Sequence, residues 1–128
     1  MPDLPPDTRD AIMIAASDET TDLTTGTAKV TFRMPFQMRV TEVVANVNDA
    51  PTGSTLTCDI NEGGVSIMST ILSIDAGEET SRTAATPAVI SDEQIAKDAE
   101  ITVDIDTIGS TNAGKGLKIM LIGTQVQV

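Results

Sequence analysis

From Thr27 onward the chain alternates apolar and polar residues with a period of two, the signature of strands that bury one face. In Lys29-Val30-Thr31-Phe32-Arg33-Met34, the residues Val30, Phe32 and Met34 share one side while Lys29, Thr31 and Arg33 share the other. Pro35 interrupts this run, and Met38 to Val47 resumes it with Val43, Ala45 and Val47 on one face and Glu42 and Asn46 on the other, Val44 being the exception. After the turn formers Asn48-Asp49-Ala50-Pro51-Thr52-Gly53, Leu56, Cys58 and Ile60 face away from Thr55, Thr57 and Asp59. Asn61-Glu62-Gly63-Gly64 then predicts a tight reversal into Val65 to Leu72, a hairpin. The sharpest alternation is Ile101-Thr102-Val103-Asp104-Ile105-Asp106, which requires one wet face. Leu117-Lys118-Ile119-Met120-Leu121-Ile122 is apolar on both faces beyond Lys118, which predicts a strand covered on both sides, by the sandwich and by a subunit.

Between these segments the pattern is looser. Ser73 to Thr80 mixes a strand end with a polar turn, and Ile90 to Lys97 suggests one helical turn with Ser91 as N-cap and acids behind it. Roughly seven or eight short strands with turn chemistry between them give an all-β fold class, a single-domain β-sandwich. The long connection from Gly77 to Glu100 suits a crossover between sheets, which favours a jelly roll over an immunoglobulin-like order. Residues 1–26 differ in composition. Pro2, Pro5, Pro6, several acids and the short apolar run Ala11 to Ala16 read as an extended acidic arm that holds one strand, lying against its own domain or a neighbouring subunit, ahead of a sandwich at 27–128.

Composition narrows the function classes. The 128 residues carry 8 Lys and Arg against 19 Asp and Glu, a net charge of −11 that repels nucleic-acid backbones and anionic membrane surfaces. No apolar run approaches the roughly 20 residues that span a bilayer, and the acidic, proline-bearing start differs from a secretory signal, so synthesis in a cytoplasm is the expectation. There is one cysteine, no His, no Trp and no Tyr, and two Phe, so the usual groups for acid–base catalysis and for stacking on sugars or bases are missing. Neither an enzyme nor a cofactor is expected.

Candidate chemistry is thin. Asp75, Asp104 and Asp106 with Glu100 supply oxygen ligands of the kind calcium takes, but a solvated face accounts for them equally and no Asp-x-Asp-x-Asp-Gly loop is present, so no metal is expected. Cys58 sits between inward Leu56 and Ile60 with no His to generate a thiolate and reads as an inert buried thiol. Gly109 to Gly116 lacks the Ser or Thr that follows a phosphate-loop lysine and reads as a plain connection. Met34, Met38, Met68 and Met120 with Phe32 and Phe36 form a soft apolar set suited to a core or a subunit contact.

Several stretches resemble a recurring family of tailed-phage virion proteins found in head-decoration and fibre contexts: Met34-Pro35-Phe36, Ala50-Pro51-Thr52-Gly53-Ser54, Asp59-Ile60-Asn61, Ile74-Asp75-Ala76-Gly77-Glu78, Ala88-Val89-Ile90-Ser91, Asp98 to Ser110 and Gly116-Leu117-Lys118-Ile119. The resemblance runs from Met34 to Thr124 and implies a non-catalytic jelly-roll module, often a homotrimer, displayed on a particle. With no long shaft before the module, it favours a capsid decoration (cement) protein on the outer surface of a phage head, whose partners are its own copies and the major capsid protein. A receptor-binding or fibre-tip module is the alternative. The residues expected at interfaces are Pro2, Leu4, Pro5, Pro6 and Arg9 in the arm, and Arg33, Arg39 and Arg82 as basic positions in an acidic chain.

Overall fold

A computed structural model describes residues 9–126. Eleven strands follow in chain order: β1 (Asp10–Ala15), β2 (Gly26–Arg33), β3 (Met38–Asn46), β4 (Leu56–Glu62), β5 (Val65–Ser66), β6 (Met68–Thr70), β7 (Leu72–Ile74), β8 (Val89–Ile90), β9 (Gln94–Ile95), β10 (Glu100–Thr107) and β11 (Lys118–Gln125). Among the described residues there is no α-helix, and one 3-10 turn at Ser81–Thr83. The molecule is a single-domain β-sandwich. One sheet has the order β1-β11-β3-β9, the other β2-β10-β4-β5 with β7 also on β4, and β6 pairs with β8 in a separate ribbon. Every pairing is antiparallel.

The alternation read from the sequence decides which side of each sheet is dry. Leu56, Cys58 and Ile60 of β4 and Ile101, Val103 and Ile105 of β10 meet Val43, Ala45, Ile119 and Leu121 from the opposing sheet, each less than a tenth exposed. Burying such side chains stabilises the fold by about 1.5–3 kcal/mol each, which is why a period-two pattern fixes register so firmly. At β3 the ladder slips one residue, because Ile122 pairs with Glu42 while Gly123 pairs with Val40. A Cβ at Gly123 would stand 2.0 Å from the Arg39 carbonyl oxygen, so the close approach at this bulge needs glycine.

Two sequence expectations change. Ile90 to Lys97 forms no helical turn: Ile90 pairs with Met68 in β8, Ile95 pairs with Met38 in β9, and the Ser91 and Asp92 amides both donate to the Ile67 carbonyl. Burying Ile95 outweighs a local capping signal. Val65 to Leu72 is three short strands instead of one, broken where the Ser66 hydroxyl takes the Met68 amide at 3.1 Å. Within one chain the outer side of β11 is half covered, Met120 and Ile122 keeping partial exposure. Within residues 1–26 the expected single strand is present as Asp10–Ala15, and Ile14, Ala16 and Leu23 are buried in the core.

Candidate functional site

Chemistry-bearing side chains do not converge on one centre. Cys58 is wholly buried, and its thiol is pushed up to about 12, first by burial and then by the nearby charges of Asp106 and Asp59. Burial thus disfavours the thiolate that a nucleophilic cysteine needs. The outer face of the β2-β10-β4 sheet is acidic: Asp59 stands directly opposite Asp104 across the β4/β10 ladder, with Asp106 next along the strand. Each of the opposed pair is tied down. Asp59 Oδ1 accepts from the Ser66 hydroxyl at 2.5 Å and from the Ile60 amide at 2.8 Å, while Asp104 accepts from the Ala28 amide at 2.8 Å and from Asn61 Nδ2 at 3.0 Å. Asp106 is held above the usual carboxylate range by partial desolvation and then by the negative charges of Asp59 and Asp104.

Asp75 lies apart, accepting from the Ala85 amide at 2.8 Å, and Glu100 occupies the far end of β10. The four acids weighed as calcium ligands are therefore not brought together. Among the described residues no three His, Cys, Asp or Glu side chains are arranged to hold a metal ion.

The basic positions separate into two groups. Asp10 pairs with Gly123 and Arg39 pairs with Thr124, so Arg9 and Arg39 lie toward the same end of one sheet. Arg33 lies toward that end too, donating from Nη1 to the Asp98 carbonyl at 3.2 Å. Arg39 faces Glu93 at 3.5 Å in an exposed pair, and Arg82 sits elsewhere, on the 3-10 turn, bonding Glu42 at 2.6 Å. Exposed pairs of this kind contribute about 0.2–1 kcal/mol and orient chains more than they stabilise them. Pro2, Leu4, Pro5 and Pro6 lie outside the described residues.

Among the described residues, two concavities stand out. A cleft of about 500 Å³ opens beside β3, lined by Thr41 to Val44, Leu72, Ser81, Arg82 and Pro87 to Ile90. A smaller one of about 190 Å³ lies between Ala16 to Thr24 and Lys29 with Ile105. The first is bordered by the Arg82–Glu42 pair and the second by Asp18, Asp22 and Lys29.

The sheet edges are more informative. An edge strand offers unpaired N–H and C=O groups, and soluble proteins blunt such edges with charge or irregularity. β2 is blunted: it carries Lys29 and Arg33, its register on β10 shifts between Val103 and Ile105, and Ala28 takes the left-handed φ of 50° with its amide held by Asp104. β1 is not. It pairs with β11 in unbroken register over all six residues, carries no charge after Asp10, and exposes Met13 by 66%. Its outward Ala11, Met13 and Ala15 lie beside Ile122, Met120 and Lys118 of β11, so Ala11, Met13, Met120 and Ile122 form an apolar patch bordered by Lys118 on an acidic molecule. Sequence reading noted the run Ala11 to Ala16 but had no means of knowing that its strand stands at a sheet edge.

No protein-family model matches the chain, and neither the curated proteins nor the solved structures contain a match to it.

Proposed function

We propose that this protein is a non-catalytic structural component of a tailed-phage particle, a decoration protein bound to the outer surface of the head. The observation that carries this reading is the unguarded β1 edge with its apolar outer patch, set in a chain of net charge −11. On a molecule of that charge, an uncharged, hydrogen-bond-ready edge is a place where another chain joins. Strand order supports the jelly-roll reading: β1 to β4 alternate between the two sheets, and β1 and β11, first and last, are neighbours. The resembling stretches include the connections that hold this arrangement. Thr52 and Asn112 bond through their backbones at 2.9 Å, and the Asp98 amide donates to the Met34 carbonyl at 2.9 Å.

A decoration protein adds to particle stability by binding the assembled shell and not the dispersed one. Quantitative mass spectrometry of purified particles tests the reading. Copies in fixed ratio to the major capsid protein, on the scale of the shell, are expected; a few copies per particle support the second reading, and absence from particles removes both. That second reading, a receptor-binding module at a spike or fibre tip, draws on the cleft beside β3, whose apolar lining of Val43, Val44, Leu72 and Ile90 suits a protein ligand.

The arm also has a test. Removing residues 1–20 would strip β1 and the buried Ile14 and Ala16 with it, so it would report on folding; removing residues 1–8 spares both. Loss of head binding with an unchanged melting temperature is the expected result of the shorter deletion.

A further inference from the structure

β1 reads Ala11-Ile12-Met13-Ile14-Ala15 after Asp10, the same in both directions about Met13. In an antiparallel pair related by a two-fold axis, the numbers of opposed residues have a constant sum, so a palindrome sets every side chain opposite a copy of its own kind. Backbone direction decides which pairs across such an axis are hydrogen-bonded. The Ala16 amide donates to the Leu117 carbonyl at 2.9 Å, so even-numbered residues of this strand bond toward β11. Alternation then turns the N–H and C=O of Ala11, Met13 and Ala15 to the open edge. Met13 is thus both the centre of the palindrome and an outward-bonding residue, so an axis there makes Met13 and its copy a hydrogen-bonded pair.

We propose that two copies of this chain associate through β1, antiparallel about a two-fold axis at Met13, so that their sheets join into one continuous sheet. In this register Ala11 faces Ala15, Ile12 faces Ile14, and the two exposed Met13 side chains pack over the axis between small alanines that leave them room. Charge does not oppose this register: Asp10, the one charged residue of β1, falls opposite Ala16. The apolar patch runs on from Met13 into Met120 and Ile122 of each copy, continuing the contact away from the axis. The inference goes beyond the virion reading and holds independently of it, since it concerns how two copies pair and not where they sit.

An edge of this length buries less than the roughly 1,200 Å² of a standard interface, so association depends on concentration and is read by light scattering of the full chain at on the order of 100 μM. A dimer is expected there, converted to monomer by Met13→Lys, which sets two ammonium groups face to face at a position that is already exposed, with the melting temperature unchanged. The register is read by a second variant. Hydrogen-bonded antiparallel pairs hold their Cα atoms about 5.5 Å apart, within the roughly 4.4–6.8 Å that a disulfide spans, so Met13→Cys is expected to cross-link to its own copy under mild oxidation. Val65→Cys, 70% exposed on the opposite sheet's hairpin, is the control that stays uncross-linked. A monomer at that concentration, a dimer or trimer unaffected by Met13→Lys, or equal cross-linking through Val65→Cys would overturn the proposal.

Discussion

The strands β1 and β2 begin the two sheets of the same sandwich and occupy equivalent edges, yet they are built to opposite specifications. β2 spends eight residues on Lys29, Arg33 and a left-handed Ala28 whose amide is captured by Asp104 across the ladder, so an incoming strand finds a kinked edge with charges along it. β1 is short, regular and apolar, and behind its open edge Ile14 anchors it in the core. The lesson is that edge protection is applied strand by strand. Where it is withheld in an otherwise strongly acidic molecule, the exposed backbone is a surface for association.

The contrast can be broken by making β2 resemble β1. Replacing Lys29 and Arg33 together by Val is expected to give the largest effect, turning a closed pair into particles heavier than a dimer, because a chain with two receptive edges has no closing symmetry. Light scattering against concentration reads it. Next in size is Ile14→Ala, expected to cost about 2–3 kcal/mol in denaturant unfolding, against about 1 kcal/mol for Val30→Ala on the half-buried inner face of β2. Equal costs would mean that β1 is no more firmly anchored than its counterpart.

Asp104→Ala removes the acceptor of the Ala28 amide and the partner of Asn61, and is expected to cost about 1–2 kcal/mol and to speed exchange of the Ala28 amide. The smallest effect concerns Asp106. Its carboxyl is raised in the folded protein, so the native state binds a proton more tightly than the unfolded chain, and the contribution of this group to stability falls as pH rises through the carboxylate range. Asp106→Asn is therefore expected to gain only about a few tenths of a kcal/mol at neutral pH, since the group is largely solvated, and to flatten the pH dependence there.

Much of the sandwich was legible because its long strands carry their own alternation. Val30 to Met34, Leu56 to Ile60 and Ile101 to Asp106 announce both strand and buried face, and the inward position of Cys58 follows from its neighbours. What was not legible depends on partners distant in sequence. Ser91 with its following acids has the local form of a helix start, but Ile90 and Ile95 are claimed by Met68 and Met38, and no local pattern records those pairings. The same holds for the edge. Ala11 to Ala16 is readable as a strand, but whether it lies inside a sheet or at its border follows from the order of strands, which only the folded chain contains. The four candidate calcium ligands failed for the converse reason: alternation put Asp104 and Asp106 on one face correctly, while the fold sends Asp75 and Glu100 elsewhere.

Amide hydrogen exchange along β1, followed as a function of protein concentration, tests the central claim most directly. The Ile12 and Ile14 amides bond toward β11 and are expected to be protected at every concentration, whereas those of Met13 and Ala15 are expected to exchange quickly in dilute solution and to become protected as copies pair. A Met13 amide that exchanges at the same fast rate at all concentrations would contradict the reading of β1 as an edge built for association.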